Sequence, residues 1–152
     1  MVGTQSATRT YPAVGVVFEL TLDGDAPEND PIEMVRGDGY EQPEQWRHEG
    51  KRVAGRQTHR FKLVQVEPCR NIHQVRAELL AYGKIPEGQW REAFKAAYPT
   101  PDGNGPIGIA DPSWLQGFQS FFPRITAGGS SRLDWAANGR DSDWRWLVEV
   151  SA

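Results

Sequence analysis

Sulfur is scarce in this sequence: one cysteine, Cys69, and two methionines stand in 152 residues. A lone cysteine excludes an internal disulfide and fits a reducing compartment. Long apolar runs are also missing. The stretch nearest the start, Ala13 to Phe18, contains Gly15 and is shorter than the roughly 7–15 residues of a secretory core. Nothing approaches the ~18–20 apolar residues of a membrane span. The expectation is a soluble, cytoplasmic protein with no membrane partner. Phosphate-binding loops, dinucleotide fingerprints and the nucleophile elbow are missing too, although Ser130 and Ser131 follow Gly128-Gly129. No catalytic residue and no cofactor are therefore assigned.

What is present is aromatic. Six Trp, four Tyr and six Phe supply the burial that disordered chains lack. Eleven Pro and sixteen Gly exceed ordinary usage without reaching the low-complexity range. At this length one domain buries roughly 70% of its unfolded surface, and two would each be marginal. The expectation is a single domain over residues 1–152.

Charge is sorted along the chain. Residues 19–45 carry nine acids against one base, Arg36, for a local net of −8. Residues 46–96 carry eleven bases against five acids, for a local net of +6. Two such fields either cancel across a folded interface or present opposed faces to partners.

Periodicity gives the elements. Val14, Val16, Phe18, Leu20 and Leu22 alternate with Gly15, Val17, Glu19, Thr21 and Asp23, the mark of a half-buried strand. Residues 24–31 read as an acidic loop, and 32–36 as a short strand. Residues 58–67 read as a strand without a breaker. Ile72, Val75, Leu79 and Tyr82 share a helical face, with Leu80 beside them. Asn71 suits the N-cap, Gln74 completes a capping box, and Gly83 suits the stop. Trp90, Phe94 and Ala97 mark a second helix, with Pro86 in its first turn. Short apolar runs follow at 107–110, 121–125 and 133–136, and residues 144–150 alternate as a last strand. The expected architecture is α+β: a mostly antiparallel sheet with a helical pair, about 71–82 and 87–98, packed on one face.

Three blocks carry a resemblance. They are Ile85-Pro86-Glu87-Gly88-Gln89-Trp90-Arg91-Glu92-Ala93-Phe94, then Gly105-Pro106-Ile107-Gly108-Ile109-Ala110-Asp111-Pro112-Ser113-Trp114, then Trp144-Arg145-Trp146-Leu147-Val148. Over about residues 69–150 the chain resembles a family of small proteins carried by bacterial phages and integrative elements. No activity is attached to that family. The resemblance implies an accessory protein of a mobile element and transfers no residue role.

The candidate sites follow from residue chemistry. Asp23, Asp25, Glu28 and Asp30 offer oxygen ligands, but Pro27 and Glu28 break the EF-hand pattern. The same acids would permit mimicry of nucleic-acid phosphates. Arg47, Lys51, Arg52, Arg56 and Arg60, interleaved with Trp46 and Phe61, are the types that single-stranded nucleic acid requires. Gln89, Arg91 and Lys95 would face DNA if the helices formed a helix-turn-helix. His48, His59, Cys69 and His73 are the donors available for zinc or a Cys–His pair. Trp114, Phe118 and Phe121 lie in the densest aromatic segment and are the anchors for a protein partner, if exposed. The leading expectation is a non-enzymatic, protein-binding accessory or inhibitory protein. Nucleic-acid binding through residues 46–62 is the alternative, and a small metal-dependent or Cys–His enzyme the third.

Overall fold

Phe18, Leu20 and Leu22 are buried while Glu19, Thr21 and Asp23 face solvent, so the expected alternation is present in β1 (Phe18–Asp23). The strand begins later than the pattern extends. Val14, Val16 and Val17 are exposed around a turn at Gly15, whose backbone N–H donates to the Leu63 carbonyl (2.9 Å). The computed structural model describes residues 9–68, 71–137 and 143–150.

The remaining elements are α1 (Pro31–Gly37), β2 (Trp46–His48), β3 (Arg56–Val64), α2 (Ile72–Leu79), α3 (Trp90–Ala97), β4 (Ile107–Gly108), β5 (Trp114–Gln116), β6 (Gln119–Ile125), β7 (Ser131–Trp135) and β8 (Arg145–Val150). The strands form one mixed sheet in the order β1-β3-β8-β4-β6-β5-β2, with β7 pairing β6. Only the β4–β8 pairing between these strands is parallel. The chain is thus α+β with a mostly antiparallel sheet.

The strand expected at 32–36 is a helix. Asp30 caps α1, its carboxylate accepting from the backbone N–H groups of Ile32 (3.0 Å) and Glu33 (3.4 Å). Pro31 follows at the first helical position, where its missing N–H is not needed. Asn71 caps α2 as expected, accepting from Gln74 (3.1 Å). That helix ends at Leu79, leaving Leu80 and Tyr82 exposed instead of on its buried face.

The two later helices do not share a face. Adjacent residues of a strand point to opposite sides of a sheet. Leu63 and Leu147 pack with Trp90, Ala93 and Phe94 of α3, whereas their neighbours Val64, Trp146 and Val148 pack with Ile72, Val75 and Leu79 of α2. The connection explains the split. Lys84 exchanges two backbone hydrogen bonds of 2.8 Å with Glu149 of β8, so the chain passes through the row of strands between the helices.

α1 lies on the α3 side, where Met34 and Val35 cluster with Trp46, Trp114 and Leu133. Arg91 of α3 ties these parts together. Its guanidinium, 1% exposed, donates two hydrogen bonds to Asp38 at the end of α1 (2.8 and 2.7 Å) and one to the Arg132 carbonyl of β7 (3.0 Å). Burial opposes its charge, but Glu92 and Asp38 together outweigh burial and move its pKa up.

A second buried guanidinium anchors β8. Arg145 donates to both oxygens of Asp102 (2.6 and 2.8 Å) and to the Gly105 carbonyl (3.1 Å). These hydrogen bonds hold the Asp102 carboxyl below its ordinary range. A depressed acid contributes stability that is present above its unfolded value, about 3.9, and lost as pH falls through the lower folded value. Asp102→Asn is therefore expected to destabilise the protein at neutral pH and to lose its disadvantage in acid. Urea unfolding of both proteins at pH 7 and near pH 3 would check this; an unchanged gap would refute it.

Candidate functional site

The charge-sorted segments meet each other. In the β1–β3 register Glu19 lies opposite Arg60 and Asp23 opposite Arg56. Thr21 and Thr58 share a hydrogen bond between them (2.8 Å). Arg52 forms an ion pair with Asp30, Asp25 accepts from the Gly55 N–H (3.1 Å), and Arg47 pairs with Glu49 (2.5 Å). Opposite charges placed across a strand pair stabilise by about 0.2–1 kcal/mol each. Glu28 sits exposed in the turn Pro27–Asn29. Of the five candidate cations for nucleic acid, Arg47 and Arg52 thus form ion pairs with acids of this chain and Arg56 and Arg60 lie opposite acids in the strand register, while Lys51 has neither among the described residues.

The helix-turn-helix reading fails on burial. Gln89 is 0% exposed; its Oε1 accepts from the Val53 N–H and its amide donates to the Asn29 carbonyl, both at 2.7 Å. Arg91 is the buried tie between α1 and α3, and Lys95 donates to the Ser131 hydroxyl. None of the three is free to reach DNA. The zinc grouping is dispersed as well. His48 packs edge-on against the Trp114 ring (4.6 Å), while His59 pairs with Glu149 (2.9 Å). Cys69 lies outside the described residues, and no group of three or more His, Cys, Asp or Glu among those described is placed to hold a metal. None of the described helices is long and apolar enough to cross a membrane.

The three aromatic anchors separate. Trp114, expected as a surface anchor, is fully buried, and its indole N–H donates to the Pro31 carbonyl (2.9 Å). Phe121 is half-buried against Trp46, with ring centroids 4.8 Å apart. Phe118 alone projects into solvent. The cause is local: Gln116 pairs with Gln119, which leaves Gly117-Phe118 as a two-residue hairpin loop. Gly117 takes φ +62°, as the first central position of a type II′ turn requires, and the next side chain is left at the tip. Trp135 of β7, 40% exposed, stands across a hollow of about 350 Å³ that Phe118 also lines, with Asn71 and His73. Trp135 was not among the expected anchors. Its place at the end of an edge strand, after the alternation of Leu133, was the available signal.

A second concavity, of about 370 Å³, is polar. Its wall holds Asp111, whose Oδ2 accepts from the Gly88 N–H (2.7 Å) and whose Oδ1 accepts from the Ser113 hydroxyl. Burial pushes the Asp111 carboxyl up, although Ser113, Gly88, His48 and Arg76 all pull it down. Burial likewise lowers the His48 pKa, against the pull of Asp111. Both His48 ring nitrogens are buried without a hydrogen-bond partner among the described residues. The Ser113 hydroxyl is bonded to a carboxylate and not to an imidazole. Glycines allow the close fit: a Cβ on Gly50 would come 1.9 Å from the Ser113 oxygen, and one on Gly88 would come 2.5 Å from the Trp114 ring. Arg76, Lys51, Lys84 and Glu87 complete the lining. Of this set the sequence singles out only Lys51, and for nucleic acid, because the members come from four separated segments.

The class that these features define is an α+β protein with a projecting aromatic tip and a hollow lined by charged residues beside Ile85 and Pro86. Compared with known proteins, the chain matches no family model, no curated protein and no solved structure.

Proposed function

We propose that this chain is a cytoplasmic, non-enzymatic binding protein, of the accessory or inhibitory kind that phages and mobile elements carry, and that its partner is a protein. The observation that supports this reading is Phe118, 107% exposed on a two-residue turn beside Trp135. Water around a large ring is unfavourable, so a phenyl group held out by a short hairpin is a ready anchor for a partner's pocket. The turn is ordered before binding, which limits the entropy lost on docking. The single cysteine fits the reducing compartment assigned here.

The test compares the parent protein with Phe118→Ser as baits in a host lysate at physiological salt. Phe118 contacts no core cluster, so the substitution is expected to leave stability within about 0.5 kcal/mol. A partner retained by the parent and lost by the variant is the expected result. Equal recovery by both baits, or recovery by neither, would overturn the assignment.

A further inference from the structure

The polar hollow between the Gly50 loop, α2 and the α2–α3 connection is independent of the aromatic tip, and its charges are arranged unequally. Lys51 and Lys84 reach its rim, and neither has a carboxylate partner among the described residues. Arg76, half-buried in the last turn of α2, is fixed by donating from Nη1 to the Ala110 carbonyl, so its guanidinium is oriented by the backbone and not by an acid. Three cations from three segments therefore converge on one cavity.

Two carboxylates, Asp111 and Glu87, stand among the three cations, and Asp111 and Arg76 attract each other without a direct ion pair. Asp111 has both oxygens engaged, one by Ser113 and one by the Gly88 N–H, and neither by a cation. Glu87 is the other carboxylate of the lining, and it forms no ion pair among the described residues. Cations without ion-pair partners that line one concavity are what a small oxyanion needs, since a charged donor and a charged acceptor make the stronger hydrogen bonds. A concavity of about 370 Å³ has room for a small metabolite.

The geometry points to a binding site for a small anionic metabolite that presents a phosphate or carboxylate group to Arg76, Lys51 and Lys84. Glu87 then faces the ligand's remaining part and favours one that carries a hydroxyl or amino donor. The back of the site is held by the Ser113–Asp111–Gly88 chain of hydrogen bonds, which makes these positioning residues. The Arg76 guanidinium, already oriented, makes the most directional contact.

Titration of the full chain with inorganic phosphate, and separately with acetate, followed by amide chemical shifts, tests this site. Sodium chloride at equal ionic strength serves as the control. Saturable shifts at Gly50, Lys84, Gly88 and Ser113 are expected with at least one of the two anions and not with chloride. The stronger anion identifies the group that the site prefers. Arg76→Gln and, separately, Lys84→Gln are expected to weaken binding about tenfold each. Lys84 is exposed, so its variant remains folded even if loss of the Arg76–Ala110 contact disturbs the helix. Shifts that grow without saturation, that chloride reproduces, or that saturate in the Lys84 variant at the same anion concentration as in the parent would overturn the site. Phe118→Ser should bind the anion as the parent does, so failure here and failure of the aromatic anchor are read separately.

Discussion

Replacing Arg91 by alanine is expected to destabilise the protein by about 3–5 kcal/mol, a large share of the 5–15 kcal/mol that holds a domain together. The side chain is 1% exposed, and Asp38 beside it is nearly as buried, at 3%. Removing the guanidinium strands that carboxylate without its two hydrogen bonds and also frees the Arg132 carbonyl. The cost is therefore the penalty of an uncompensated buried charge, not the worth of the pair. A double-mutant cycle with Asp38→Ala makes the distinction. The double variant should be more stable than the sum of the single losses implies, because no lone charge remains. Urea denaturation of the four proteins would measure it. Strict additivity would mean that the two side chains act separately and that α1 is held by its apolar face alone.

Trp114→Ala should cost a similar amount, about 3–5 kcal/mol, through lost packing and the cavity left behind. The indole meets α1 through the Pro31 carbonyl, lies edge-on to His48, and is approached by Gly88. This prediction opposes the one made for Phe118. Loss of binding in Trp114→Ala would accompany loss of the fold, whereas loss of binding in Phe118→Ser should occur in a protein that unfolds normally. Thermal unfolding of the two variants side by side would check the contrast. A Trp114→Ala protein as stable as the parent would place that ring on the surface after all.

Period-two alternation made β1 and β8 legible from the sequence, because each has one or both faces covered and each register is fixed by burial. Helical periodicity likewise located α2 and α3, though α2 ends sooner than the apolar pattern suggests and α3 begins at Trp90 instead of near 87. Leu80 and Tyr82 continue that pattern without a surface to pack on. The helix α1 was misread as a strand even though Asp30-Pro31, with Glu33 and Arg36 three residues apart, is a cap followed by a helical ion pair (3.1 Å). Local acidity there suits a loop and a helix start equally, and Asp30 is the start. The charge pattern was visible as two blocks, but its outcome depended on the β1–β3 register, which composition does not contain. The aromatic segment showed the reverse difficulty. Density marked Trp114, Phe118 and Phe121 equally, and only a single glycine with positive φ separates the exposed ring from the buried ones. The polar hollow was illegible for another reason. Lys51, Arg76, Lys84 and Asp111 are ordinary surface residue types until the connection after α2 brings them together.

That connection and the strand it touches also govern how the molecule can be assembled. β8 is the partner of β3 on one side and of β4 on the other. Everything built before residue 145 therefore forms two unfinished half-sheets with no direct bond between β3 and β4. Their joining waits for six residues, Arg145–Val150, that are late in the sequence and central in the structure. Such an arrangement places the most distant pairings last, lengthens folding relative to a locally wired protein, and makes β8 a keystone: with it withheld, β3 and β4 are each left with an unpaired edge.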